Sequence, residues 1–147
     1  MTVLSFLPMA HTANLGVRRD LFDRLGGFDE RFPHGGDDIE FVWRAQLAGA
    51  QLVEVDDAVV HYRLRPTLAE QFRQARNYGA CEPLLYRTFA KHGLRRRPVS
   101  SVVSEVWWLL TRLPFAHSNA RGGAWLRRFG TQYGRFAGSF RHRTVWW

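Results

Sequence analysis

An acidic pair, Asp37-Asp38, precedes a stretch in which apolar residues recur at positions 39, 42, 43 and 47 and which Gly49 closes. This spacing predicts an amphipathic helix of about three turns with both aspartates in its first turn. Unpaired backbone N–H groups and the positive end of the helix dipole favour negative charge there, so the aspartates can simply be helix caps. Carboxylates can also remove a proton from a hydroxyl group. Both interpretations stay open from these two residues alone.

A histidine and an arginine, His61 and Arg63, lie at the end of the second of two short strand-like runs, residues 51–55 and 58–62. The residues between the runs, Asp56-Asp57, are typical of a turn. A lone histidine in such a place is more often structural than a metal ligand.

The elements around these candidates give residues 1–90 a mixed α/β pattern. Residues 11–17 are predicted to form a strand, and residues 18–25 a short helix that Gly26-Gly27 ends. On the acidic helix, Glu40 and Arg44 are spaced as an i,i+4 ion pair. The capping-box sequence Thr67-Leu68-Ala69-Glu70 predicts the start of a long helix toward Phe89.

The net charge of +8 is unevenly distributed over the 147 residues. Residues 1–90 carry ten arginines against twelve carboxylates, a net of −2, whereas residues 91–147 carry eleven basic residues against Glu105 alone, a net of +10. Five of the six tryptophans also lie in the second part. The composition therefore divides the chain into two domains, residues 1–90 and a basic, tryptophan-rich tail, residues 91–147.

The tail has two predicted helices. Residues 102–113 are strongly apolar and end at Pro114. A second helix, about residues 121–141, places aromatic residues on one stripe, which suits either an anionic membrane interface or packing against the preceding helices. Three glycines, Gly130, Gly134 and Gly138, recur on this helix and predict a close helix contact, within the chain or between subunits.

Location is constrained by what the sequence lacks. Residues 1–6 have no pattern of a signal peptide, and no uncharged apolar run reaches 18 residues, because residues 102–116 contain Glu105 and Arg112. The single cysteine, Cys81, cannot form an intramolecular disulfide. A cytoplasmic location is expected, with the tail resting on the inner face of the plasma membrane.

Four sequence elements follow one another over about 50 residues: a segment with Ala13-Asn14 and the basic pair Arg18-Arg19, a Gly-Gly-Phe-Asp-Glu turn at 26–30, the acidic helix start with Arg44, and a strand with His61. Their order and spacing resemble the second half of the catalytic domain of family 2 glycosyltransferases of the GT-A type. The C-terminal domain of animal-type galactosyltransferases is similar. The family's acidic pair is usually Glu-Asp and is Asp-Asp here.

The resemblance implies an inverting transfer from a nucleotide-sugar donor to a glycan or lipid-linked acceptor. The resemblance makes Asp38 the general base of this transfer, and Asp37 the residue that orients the acceptor or the base. His61 is a ligand of Mg²⁺ or Mn²⁺. Asn14 could contact donor or acceptor and Arg63 could reach a phosphate, or each could serve only local backbone or surface needs.

The resemblance also implies an α/β fold, a partial GT-A fold with a small mixed sheet and flanking helices, followed by a helical C-terminal extension. The family's nucleotide-binding βαβ units and Asp-x-Asp metal motif precede the region that matches, and the sequence contains neither. The donor-binding half is therefore expected from a longer product, a separate chain or a dimer partner.

Two other functions stay open. The chain could be a non-catalytic remnant that binds a membrane or a protein partner through its tail. Arginine with interleaved aromatic residues also suggests a nucleic-acid binder, although no nucleic-acid-binding motif is present.

Overall fold

The computed structural model describes residues 4–115 and 119–146. Within them the chain forms five α-helices: α1 Arg19–Leu25, α2 Asp37–Leu47, α3 Leu68–Phe89, α4 Val99–Arg112 and α5 Asn119–Arg141. Short 3-10 turns occupy Thr12–Asn14, Ala90–His92 and Leu113–Phe115. Some residues used in the sequence analysis lie outside the described residues. They are residues 1–3 of the segment without a signal-peptide pattern, Ala116 at the end of the apolar run, and Trp147.

The chain divides into two compact units, residues 1–63 and residues 64–147. The predicted division into domains at residue 90 was drawn from composition and stays a prediction.

The predicted α/β fold with a small mixed sheet is wrong, because the described residues form no β-sheet. The predicted strand at 11–17 contains a 3-10 turn instead. Residues 51–55 and 58–62 are irregular and joined by the predicted turn at Asp56-Asp57, where Val55 O accepts the N–H of Ala58. The side chains of Val53 and Val59 are 72% and 71% exposed. A strand is stable only when a neighbouring strand pairs with its backbone. A β-prone composition does not provide such a neighbour.

Helix α2 carries the core of the first unit. Val42 and Trp43 are buried, as the apolar spacing predicts. Phe41, which lies outside the predicted stripe, is buried as well, whereas Ile39 is half-buried and Leu47 is exposed.

Trp43 Nε1 donates to Leu7 O at 3.0 Å, and Phe6 meets the indole edge to face at 5.0 Å. These contacts hold α2 in place, and with it the acidic pair in its first turn.

The predicted Glu40–Arg44 pair is confirmed and connects α2 to the Gly-Gly turn. Arg44 Nε and Nη2 donate to the two Glu40 carboxylate oxygens at 2.7 and 2.9 Å. The same guanidinium donates to Leu25 O at 2.5 Å and to Gly27 O at 2.7 Å. Glu40 is buried, and its carboxylate raises the pKa of Arg44 through the hydrogen bond.

Helix α3 begins where the capping box predicts. Thr67 Oγ1 accepts the N–H of Glu70 at 3.3 Å, and the Glu70 carboxylate accepts the N–H of Thr67 at 3.3 Å. This satisfies two backbone donors that the first turn of a helix otherwise leaves without partners.

The predicted glycine contact is confirmed and lies within the chain, between α3 and α5. A Cβ on Gly130 would lie 3.0 Å from Phe72 O, and a Cβ on Gly138 would lie 3.0 Å from Ala80 Cα. Gly79 on α3 faces the backbone of Thr131 in the same way. The two helices therefore approach backbone to backbone, which only residues without a side chain allow.

A polar cluster joins α3, α5 and the residues that follow α5. Arg135 donates from Nε and Nη2 to the two Glu82 carboxylate oxygens, both at 2.8 Å. Trp146 is buried, donates to Glu82 Oε2 at 2.8 Å and stacks on Tyr86 at 4.9 Å. One tryptophan of the cationic tail is therefore part of the core.

The aromatic stripe of α5 was predicted either to lie in a membrane interface or to pack against the preceding helices, and it packs only in part. Phe129 stacks on Phe72 of α3, yet Tyr133, Phe136 and Phe140 stay largely exposed. The glycine face of α5 makes the helix contact, and the aromatic side chains flank it. None of the described helices is long and apolar enough to cross a membrane.

We expect Gly134→Ala to destabilise the second unit, although alanine favours a helix by about 1 kcal/mol over glycine. The new Cβ would lie 2.8 Å from Ala80 N and closer still to Arg76 O. These atoms belong to helix backbone and cannot move aside, so the loss of unfolding free energy should be about 1–3 kcal/mol. Urea denaturation, with hydrogen exchange of α3 and α5 peptides, measures it.

The matched control is Gly123→Ala on the same helix. Its Cβ would first meet the flexible tip of Leu68 at 3.3 Å. This variant should be neutral or more stable by up to about 1 kcal/mol. Equal stability of the Gly134 and Gly123 variants would contradict the close contact.

Candidate functional site

The acidic pair occupies the first turn of α2, as predicted. Two glycines with positive φ, Gly35 at 130° and Gly36 at 86°, bring the chain into the helix. Asp38 Oδ1 lies 2.8 Å from the N–H of Ile39, and the Asp38 side chain is only 15% exposed. A negative charge at the start of a helix interacts favourably with the positive end of the helix dipole.

A histidine that no sequence pattern indicated is the side-chain partner of Asp38. His11 Nδ1 lies 3.2 Å from Asp38 Oδ2, and the histidine is well exposed. With a proton on Nδ1, His11 donates to this oxygen and fixes the orientation of the carboxylate. The two residues are 27 positions apart, so neither helical nor strand periodicity could relate them.

Asn14 has a structural contact. Its Nδ2 donates to Ala58 O at 2.6 Å, which joins the turn Thr12–Asn14 to the segment three residues before His61. The turn Thr12–Asn14 and His11 just before it therefore contact both the 58–62 segment and α2. The predicted contact of Asn14 with donor or acceptor stays a prediction.

The structure places His61 and Arg63 in exposed positions. Within residues 4–115 and 119–146, no group of three or more histidine, cysteine, aspartate or glutamate side chains is arranged to hold a metal ion. The residues present thus do not make a complete Mg²⁺ or Mn²⁺ site around His61.

The Gly-Gly-Phe-Asp-Glu turn supports α2. Gly26 and Gly27 have φ of 79° and 73°, which strongly favours glycine. Asp29 accepts from Arg31 at 2.6 and 2.9 Å, and this hydrogen bonding lowers the pKa of Asp29. Phe28 packs on Phe41 of α2 at 5.2 Å. These contacts give the turn a positioning role.

A cavity of about 500 Å³ lies elsewhere in the first unit. It is bounded by residues 15–17, α1, one side of α2 and residues 48–52. Asp37, Asp38, Asn14, His61 and Arg63 do not line it. The predicted site residues are exposed or partly exposed, and they lie outside this cavity.

Comparison with known protein families covers almost the whole chain. The family model for glycosyl transferase family group 2 matches residues 2–137, a range that includes all the predicted site residues. No curated protein and no solved structure matches the chain. The resemblance drawn from the four sequence elements is confirmed: the chain belongs to the group 2 family of glycosyltransferases.

Proposed function

We propose that the chain is the acceptor-side part of an inverting, nucleotide-sugar-dependent glycosyltransferase. The observation that carries the proposal is the partly buried Asp38 carboxylate at the start of α2, held by His11 in a chain of this family. A general base needs a carboxylate fixed within hydrogen-bond reach of the acceptor hydroxyl. Family membership supports a sugar donor and an acceptor as substrates.

In the proposed reaction Asp38 takes the proton of the acceptor hydroxyl as its oxygen bonds to the anomeric carbon. The bond from that carbon to the phosphate oxygen breaks, and its electron pair leaves with the nucleoside diphosphate. Attack from the face opposite the leaving group inverts the anomeric configuration. Asp37, next to the base, would hold the acceptor in line.

His11 would act as a positioning residue for the base. It contacts one carboxylate oxygen of Asp38, while the other lies close to the N–H of Ile39. A carboxylate held on both oxygens loses little conformational freedom when the acceptor arrives. His61 stays the proposed metal ligand, but the described residues do not complete a cation site, so no step here depends on a metal.

The donor-binding half would come from a longer product, a separate chain or a dimer partner. Residues 51–62 favour this arrangement, since Val53, Val55, Val59 and Val60 are β-prone, exposed and without a paired strand in the described chain. Exposed strand-like segments are common sites of pairing with another chain. The glycan or lipid-linked acceptor and the inner face of the membrane stay predictions.

The decisive experiment isolates the native assembly from its source cells, with any chain that copurifies. Its intact mass is measured, and the assembly is incubated with a set of nucleotide sugars and a glycolipid extract of the same cells. We expect nucleoside diphosphate release that matches sugar incorporation, with an inverted anomeric configuration in the product. An assembly that binds no nucleotide sugar and releases no diphosphate would refute the proposal and favour the non-catalytic remnant.

A further inference from the structure

Helix α4 exposes an apolar face that nothing in the described chain covers. None of its residues is buried. Its exposed apolar side chains, together with Leu113 just after it, follow helical spacing and form a stripe roughly 120° wide at 100° per residue. They are Val99, Val103, Val106, Trp107, Leu110 and Leu113. Hereafter these six residues are the α4 stripe.

The other side of α4 is attached to α5. Trp125 Nε1 donates to Leu109 O at 2.9 Å, and the Arg128 guanidinium lies 4.1 Å from the centre of the Trp108 ring. Arg128 also approaches Glu105 at 4.0 Å. These contacts fix the rotation of α4 about its axis, so the stripe faces away from α5.

The exposed charges just before the α4 stripe are positive: Lys91, Arg95 and Arg96 precede the helix. Arg112, at the end of α4, lies about 200° from the centre of the stripe, on the side of the helix that carries Glu105. Glu105, the one carboxylate of residues 91–147, is beside Arg128 on the α5 side. The surface therefore favours a ligand that combines an apolar region with negative charge.

We propose that α4 docks on an anionic lipid bilayer, with its stripe in the outer hydrocarbon region and the basic residues that precede the helix at the headgroups. A helix of 14 residues is about 21 Å long, which suits a position in the plane of the interface. Trp107, 68% exposed at one edge of the stripe, is of the type that interfaces favour.

A second copy of the chain fits this surface less well. It would bring a second tail with a net charge of +10 over residues 91–147 to the same surface. Like charges across an interface oppose association. The proposal is independent of sugar transfer, because none of the residues it uses belongs to the catalytic proposal.

The test is cosedimentation of the full chain with vesicles of phosphatidylcholine alone or with about a third phosphatidylglycerol. The variant Trp107→Ser/Leu110→Ser should lose at least about tenfold in partition onto anionic vesicles, since two large apolar anchors are removed. Because both side chains are exposed, its thermal unfolding should match the original chain. Binding of the original chain should weaken as salt increases.

The matched control is Phe140→Ser on α5, since Phe140 is 67% exposed and is also aromatic. It should keep vesicle binding. Failure of the original chain to bind anionic vesicles would overturn the proposal. So would a loss caused by Phe140→Ser but not by the α4 variant, and so would a dimer in sedimentation velocity that only the α4 variant dissociates.

Discussion

Sugar transfer by the native assembly should fall by about 10²–10⁴-fold when Asp38 is replaced with asparagine, because the amide cannot accept the acceptor proton. Asparagine has nearly the same size and can keep an oxygen near His11 Nδ1. The loss should therefore appear in kcat, with little change in the KM for the donor. Initial rates of nucleoside diphosphate release over a range of donor concentrations measure both constants.

Stability separates this effect from misfolding. Removing one negative charge from the first turn of α2 should lower the unfolding free energy by less than about 1 kcal/mol. The control is Asp56→Asn in the exposed turn between residues 51–55 and 58–62, which should leave both rate and stability unchanged. Full activity of the Asp38 variant would exclude this residue as the base.

Local sequence patterns predicted the helical parts of the fold well. The periodicity of α2, the capping box of α3 and the i,i+4 pair on α2 depend on residues within one or two turns of each other. The glycines of α5 were also informative, because a repeated glycine in a helix has few explanations other than close packing. Which helix they would contact could not be predicted, since it depends on the tertiary fold.

The strand predictions failed for a related reason. Valine-rich runs such as residues 51–55 favour a strand, but hydrogen bonds to a neighbouring strand have to come from elsewhere in the protein. The described chain supplies no such neighbour. In the proposed site, the acidic pair was found from its position at a helix start. Its partner His11 depends on a tertiary contact across 27 positions, which one sequence does not reveal.

The largest expected loss of stability comes from Arg44→Met. Glu40 is 2% exposed, and the guanidinium of Arg44 bonds both of its carboxylate oxygens. Methionine would leave a buried carboxylate without its cation, and the carbonyls of Leu25 and Gly27 without a donor. Breaking a buried pair in this way costs about 3–5 kcal/mol. Urea denaturation with hydrogen exchange of α2 peptides gives the value for the first unit.

An exposed pair of the same spacing provides the control. Arg19 and Asp23 on α1 lie 2.8 Å apart with both side chains in solvent. Arg19→Met should therefore change the unfolding free energy by less than about 0.5 kcal/mol. Similar losses for the Arg44 and Arg19 variants would mean that burial of Glu40 does not determine the effect.

The double variant Glu40→Gln/Arg44→Met identifies the cause of the loss. If the unpaired charge is responsible, removal of the charge from Glu40 should recover a large part of what Arg44→Met alone loses. If the lost bonds to Leu25 O and Gly27 O dominate, the double variant should be at least as unstable as the single one. We expect the recovery, because a buried charge without a partner is more unfavourable than a neutral carbonyl without a donor. The ion pair would then serve mainly to hold the Gly-Gly turn against α2, and so to keep the helix start with Asp38 in a fixed position.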